Sequence, residues 1–273
     1  MKAFCPFHIT GFFALKSDQK NISSIGCGVV IADGAVTEAS EGHGSVYINR
    51  QQDSAPTTKT VAALLSDKIA DIRTELAGPM GCGLGTSGAG ALSTALALNE
   101  LWELKHSFNA LCDIAQLAEI TNKTGVGDVI AQAIGGIVVR QQSAVFQIPT
   151  PPLEVSYIVF GPLPTPEILA DQDKIAVINK FGSASLRRLL QKPTFDEFMR
   201  LSKQFACDTE LISPKAQDTV EAVEASGGLA SMALLGDAVY ALDPANALSE
   251  FGAVRKTTIC NEGAHLVSKR YTK

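Results

Sequence analysis

The stretch Pro79-Met80-Gly81-Cys82-Gly83-Leu84-Gly85-Thr86-Ser87-Gly88-Ala89-Gly90-Ala91 sets five glycines among thirteen residues. It runs directly into Leu92-Ser93-Thr94-Ala95-Leu96-Ala97-Leu98-Asn99-Glu100-Leu101-Trp102, a strongly helical sequence. Glycine adopts backbone conformations closed to other residues, so such a loop can turn several N–H groups towards one point. That point is the start of a helix, where four N–H groups lack an intrahelical partner and the dipole is positive. A phosphate is the guest that suits it.

Spacing separates the kinds of phosphate loop. The P-loop needs Lys followed by Ser or Thr after its last glycine, and here the glycines lead into Ala91-Leu92-Ser93, which excludes it. Gly83 to Gly88 satisfies G-x-G-x-x-G, with Glu103 at about the distance of a ribose ligand. A dinucleotide fingerprint follows a buried strand, however. Lys68-Ile69-Ala70-Asp71-Ile72-Arg73-Thr74-Glu75-Leu76 has apolar residues at helix spacing, and Glu103 is expected inside the continuing helix.

With 273 residues, 46% hydrophobic and 19% charged, the chain is globular and large enough for one big domain or two sharing a cleft. A net charge of −5 gives no general attraction for nucleic acid or an anionic membrane. The six cysteines form no CxxC pair, the first residues are too short in apolar length for an export signal, and no apolar run is long enough to span a bilayer. A cytoplasmic protein with reduced, mostly buried thiols is expected, without nucleic-acid or membrane partners.

In chain order, residues 3–13 read as a short strand, a turn at Pro6 and a second apolar segment, with His8 and Thr10 on one face. His8 alone reads as a structural histidine. Residues 27–32 and 35–39 joined by Asp33-Gly34 signal a hairpin, and 45–49 a strand. A helix is expected from Pro56 to Gly78, with Val61, Leu64, Leu65, Ile69, Ile72 and Leu76 on one side. Residues 107–121 form another, with Ala110, Leu111, Ile114, Ala115, Leu117 and Ala118 facing the core. Glu119 lies near its C-terminal end, where a carboxylate opposes the dipole; a solvated glutamate is the ordinary reading. Asp128, after Gly125 and Gly127, reads as a helix N-cap. Pro149-Thr150-Pro151-Pro152 is a linker, 154–160 a strand and 161–167 a rigid loop. Helices at 173–181, 183–190, 194–207 and 214–225 precede a second glycine-bearing stretch, Ser226 to Gly236, and strands at 238–242 and 255–260.

Pro-x-Gly-x-Gly-Leu-Gly-Thr-Ser-Gly-Ala resembles the phosphate loop of the GHMP kinases (galactokinase, homoserine kinase, mevalonate kinase and their relatives), usually written Ser-Ser-Ala where Thr86-Ser87-Gly88 stands. Thr keeps the hydroxyl and Gly the small size. Gly125-x-x-Asp128 followed by Gly135-Gly136 resembles the third recurring element of that family, and the stretch 226–236 stands where its C-terminal glycine-rich element falls. His-Ile-Thr-Gly-Phe-Phe at 8–13, and Gly-x-Gly-Asp-Val-x-Ala-Gln-x-x-Gly-Gly-x-Val-x-Arg at 125–140, are similar to the archaeal pantoate kinase branch, in which Gly more often stands at the place of Phe7.

The resemblance implies an α+β, two-domain GHMP kinase fold: a ribosomal-protein-like N-terminal α+β domain over 1–150 and a ferredoxin-like C-terminal domain over 151–273, with the active site between them. It implies transfer of the ATP γ-phosphoryl group to the primary hydroxyl of pantoate, giving 4-phosphopantoate in archaeal coenzyme A synthesis, by a homodimer. The loop from Gly81 through Gly83, Leu84, Gly85, Thr86, Ser87, Gly88 and Ala89 would bind ATP, and Ser87 and Glu119 would hold Mg²⁺. Asp128 would accept or orient the hydroxyl. Arg140 would take the pantoate carboxylate, with a solvated arginine as the ordinary alternative, and Thr10, Thr165, His8 and Gln116 complete the substrate side. Phosphoryl transfer asks chiefly for positioning and neutralisation of spread-out charge, and an exposed helix terminus contributes only ~0.3–1 kcal/mol, so a divalent cation is required. The rivals are a GHMP kinase for another alcohol of the homoserine, shikimate or mevalonate type, and a non-catalytic ligand-binding relative, which would be expected to lose Asp128 or Ser87.

Overall fold

The computed structural model describes residues 1–18, 21–142, 144–163 and 171–267; Thr165 and the loop around it lie outside them. Two long strands, β1 (Lys2–Asp18) and β2 (Asn21–Glu41), pair antiparallel along their length. Pro6 therefore makes no turn and Asp33-Gly34 no hairpin. Pro6 lies opposite Gly34 and Phe7 opposite Ile31, so Ala32 and Asp33 are extra residues on β2, and the irregularity absorbs the N–H that proline lacks. The bulge also makes a junction. The Tyr157 hydroxyl donates to Asp33 Oδ2 at 2.6 Å, and the Asp33 N–H donates to Thr257 Oγ1 at 3.1 Å.

After β3 (Val46–Ile48) and β4 (Gln51–Gln52), α1 (Pro56–Leu65) stops well short of the expected length, and β5 (Ala70–Leu76) occupies the place of its second half. A strand does precede the glycine loop. Ile69, expected in a core stripe, is 64% exposed, whereas Ala70, Ile72 and Thr74 alternate inwards. The helix after the loop, α2 (Thr86–Leu101), ends before Glu103, whose φ of 54° is left-handed. From Thr86 to Leu98 every residue of α2 except Ser87 is buried, as befits a helix enclosed on all sides. It packs on β1 and β2 and is covered by α1, α3 (Phe108–Asn122) and α4 (Asp128–Ile134). On α3, Leu111, Ala115 and Ala118 are buried as expected, but Leu117 faces solvent. β6 (Ile137–Arg140) pairs with the first half of β2, and β7 (Val145–Ile148) with β6.

Residues 149–153 carry the chain to a second antiparallel sheet, built of β8 (Glu154–Gly161), β9 (Leu229–Met232), β10 (Asp237–Leu242) and β11 (Arg255–Thr258) in the order β11-β8-β10-β9. A last strand, β12 (His265–Leu266), returns to β1, giving the first sheet the order β12-β1-β2-β5-β3-β4. Between β8 and β9 lie α5 (Gln172–Gln191), α6 (Phe195–Asp208) and α7 (Pro214–Ala225). α5 is one helix rather than the two expected: a Cβ on Gly182 would collide with the Phe13 carbonyl, so this glycine allows helix and strand to touch and does not break the helix. One apolar core runs through both sheets, joining Phe7 and Ile9 to Tyr157, Phe198, Met232 and Tyr240.

Candidate active site

Gly81, Gly83 and Gly85 have φ of 75°, 78° and 61°, so every second residue of the loop is left-handed. Alternation of this kind turns successive N–H groups to one side. Gly83 is also pressed by the second glycine stretch: a Cβ there would lie 2.8 Å from the Ala233 carbonyl oxygen, and one on Gly236 would collide with Cys82. Gly85 is the N-cap of α2 and supplies no side chain to satisfy the helix start. The Ala89 N–H donates to the Gly85 carbonyl at 3.1 Å, which takes Ala89 out of the expected phosphate-binding set. The N–H groups of Thr86, Ser87 and Gly88 precede the first α-helical bond and are left for a guest.

Two carboxylates flank that opening. Glu119 is not solvated; it is 1% exposed. Its Oε1 accepts from Ser87 Oγ at 2.5 Å and from Thr124 Oγ1 at 2.6 Å, and the Thr124 hydroxyl lies 3.2 Å from that of Thr57. Burial pushes its pKa up to about 7, against the two hydroxyl bonds that stabilise the ionised form, with the charge of Asp128 adding a smaller upward push. Asp128 is not the N-cap of α4, a place held by Gly127; it is the first residue within the helix. Its Oδ1 lies 2.6 Å from His8 Nδ1, and its side chain keeps 24% exposure. Gly125 stands between the acids: a Cβ there would collide with Glu119 Oε2 and come within 3.5 Å of Asp128 Oδ2. The two unbonded carboxylate oxygens thus face one glycine, beside the first turn of α2.

The GHMP kinases N-terminal domain family matches residues 56–136, the span from α1 to α4. A pantoate kinase of Methanocaldococcus jannaschii is 34% identical over 94% of this chain and 98% of its own, and one of Methanospirillum hungatei 31% identical over 96% and 94%. This chain belongs to the pantoate kinase family. Among solved structures, a phosphotransferase related to the CoA biosynthesis pathway superposes with a TM-score of 0.85 at 25% identity, covering 100% of this chain and 99% of the other. Homoserine kinase of Cytophaga hutchinsonii, at 16% identity, shares the fold over 98% and 97% with a TM-score of 0.70. The α+β GHMP kinase fold and an ATP-using small-molecule kinase are thereby established.

For this pantoate kinase family member, the remaining expected residues fall out unevenly. His8 is 6% exposed, is bonded to Asp128, and lies over Gly28, where a Cβ would collide with the ring. Its backbone N–H donates to the Leu84 carbonyl at 3.2 Å, so one residue of β1 touches both the loop and the acid. Arg140 ends β6 opposite Gly26 and donates from Nη1 to the Val126 carbonyl at 3.1 Å; its half-buried guanidinium has its pKa lowered by desolvation. Thr10 lies opposite Gly28 on the same sheet, its carbonyl accepting from the Leu234 N–H at 3.3 Å. Among the described residues Gln116 makes no hydrogen bond to this cluster, and its buried Oε1 has no partner. Among the described residues no group of three or more His, Cys, Asp or Glu could hold a metal. A cation here would have to share a carboxylate with hydroxyl and ligand oxygens.

Sequence reasoning passed over Thr57, Thr124 and Gln132. Gln132 donates from Nε2 to the Gly85 carbonyl at 2.7 Å. Its signal was available, since it lies one helical turn beyond Asp128 and so on the same face. Nothing in the sequence pointed to Thr57 or Thr124.

Proposed function

We propose that this chain transfers the γ-phosphoryl group of ATP to the primary hydroxyl of pantoate, giving 4-phosphopantoate for coenzyme A synthesis. The observation that supports this most is the pair of carboxylates, unlike in setting, facing each other across Gly125 beside an uncapped helix start. The amides of Thr86, Ser87 and Gly88 hold phosphate oxygens, with Gly81, Gly83, Leu84 and Gly85 shaping the loop. A cavity of about 460 Å³ where the loop begins, lined by Asn49, Leu76, Pro79 and Arg255 among others, is of a size to admit the nucleobase.

Mg²⁺ fits the donor set: Ser87 Oγ and the Glu119 carboxylate, bonded to each other at 2.5 Å, are hard oxygen groups that would hold it. When bound there, the cation supplies neutralisation of phosphate charge. Asp128 accepts or orients the proton of the incoming hydroxyl through Oδ2, because Oδ1 is taken by His8. In this reading His8 stands behind the acid as its support, and not on the substrate. Arg140 offers a planar cation to the pantoate carboxylate, and Thr10 a hydroxyl to a remaining oxygen. Asp128 and Ser87, the two residues a non-catalytic descendant would be expected to lose, are both in place. The reading includes a substrate cleft between residues 1–150 and 151–273, a homodimer and a cytoplasmic setting.

The test is purified protein with Mg-ATP and pantoate, followed for 4-phosphopantoate, with homoserine, mevalonate and shikimate in parallel. Turnover with pantoate at a kcat/KM well above the other three is expected. Preference for any of the others would overturn the substrate assignment and leave the kinase intact.

A further inference from the structure

Gln132 is fully buried, yet among the described residues its Oε1 has no hydrogen-bond partner, and an acceptor left unpaired in the interior costs stability. The orientation of the amide is fixed by its other end. Nε2 donates to the Gly85 carbonyl at 2.7 Å, and turning the group over would set two acceptors against each other. Leucine, one atom shorter, would carry no such cost. What the amide secures is the Gly85 carbonyl, at the left-handed residue where the phosphate loop becomes α2.

The orphaned oxygen meets the loop again one turn on. A Cβ on Gly88 would lie 2.8 Å from Gln132 Oε1, and also 3.2 Å from Asp128 Cβ. The glycine at 88, where the GHMP pattern has Ala, leaves room for that oxygen. Gln132 and Asp128 share a face of α4, and the Gln132 carbonyl is held by the Ala264 N–H at 2.9 Å, so the helix cannot slide freely. We infer that Gln132 is a positioning residue that keys the phosphate loop to the helix bearing Asp128, fixing the distance between nucleotide and acceptor, with Gly88 as the matching notch.

The inference rests on the loop binding nucleotide phosphates. The experiment is a double-mutant cycle of Gln132→Leu and Gly88→Ala, measuring Mg-ATP affinity by calorimetry and kcat and KM for both substrates. Each single variant is expected to weaken ATP binding about tenfold or more and to lower kcat, leaving the pantoate KM within twofold. The double variant is expected to be no worse than the weaker single one, because a methyl at 88 meets no amide oxygen once Gln132 is gone. Effects that simply multiply would overturn the keying. So would a Gln132→Leu protein with a lowered Tm but unchanged ATP affinity, which would mark a purely structural role. Wild-type protein that failed to bind ATP would instead remove the reading of the loop itself.

Discussion

Glu119 and Asp128 lie on consecutive helices and look onto the same glycine, yet they are built for opposite tasks. Glu119 is sealed in, bonded on one oxygen by two hydroxyls, and raised to about 7. Asp128 keeps a quarter of its side chain open, and its hydrogen-bond partner among the described residues is an imidazole. A buried acid whose donors are hydroxyls is poorly satisfied until a positive charge arrives. An open acid anchored through one oxygen offers the other to whatever enters. The difference teaches that role here follows from surroundings, since the two side chains differ by a single methylene.

The largest effect expected is on Asp128→Asn, which should lower kcat by about 10²–10⁴-fold while ATP affinity and the Mg²⁺ requirement stay unchanged. Glu119→Gln should behave differently: the Mg²⁺ concentration for half-maximal rate should rise about tenfold or more, with part of kcat recovered at high Mg²⁺. Magnesium titrations of both variants check the contrast. If the Asp128 variant were the one rescued by Mg²⁺, the two assignments would be exchanged. The next effect is on stability. The folded pKa of Glu119, about 7, stands above the ordinary carboxylate value, so the native state holds a proton that the unfolded chain has released. Metal-free protein should therefore lose stability as pH rises from about 4.5 to 7, by up to about 3 kcal/mol at 1.36 kcal/mol per pKa unit. Denaturant melts at pH 5 and pH 8 should show Glu119→Gln gaining on the wild type at the higher pH. Parallel curves would mean that Glu119 is ionised throughout.

Much of this site was legible because its signals are local. Three glycines at alternate positions needed left-handed backbone wherever the chain went, and a helix start follows from what succeeds them. The acids were found by resemblance, because their function depends on partners brought from β1, α2 and the turn after α3, which no local pattern announces. Where the reading failed, a polar residue faced inwards or a glycine served packing. The alternation of β5 was masked by Thr74, buried and bonded to Thr37 at 2.9 Å, with Thr37 in turn bonded to Ser93 at 2.7 Å. A core threonine counted as polar leaves Ile69, Ile72 and Leu76 at a spacing that imitates a helix. Asp33-Gly34 has the composition of a hairpin turn, but Pro6 on the opposite strand turns it into a bulge on which the second sheet docks. Gly182 likewise looked like a break and is a contact.

The finest distinction between the acids rests on Thr124, a residue with no sequence signal at all. Its hydroxyl and that of Ser87 share Glu119 Oε1, and both favour the ionised form against burial. Ser87 also serves the loop, so its removal would confound two effects; among the described residues the Thr124 hydroxyl is hydrogen-bonded to Glu119 and Thr57. Thr124→Val keeps the shape and deletes one donor to a carboxylate, a bond worth about 1.5 kcal/mol, or roughly one pKa unit. At sub-saturating Mg²⁺ the acid limb of kcat/KM, set near pH 7 by Glu119, should move upwards by about that amount. Raising Mg²⁺ should pull it back, because cation and proton compete for the same oxygens. An acid limb that ignored both the substitution and the cation would belong to another group, and Glu119 would lose its place as the cation's carboxylate.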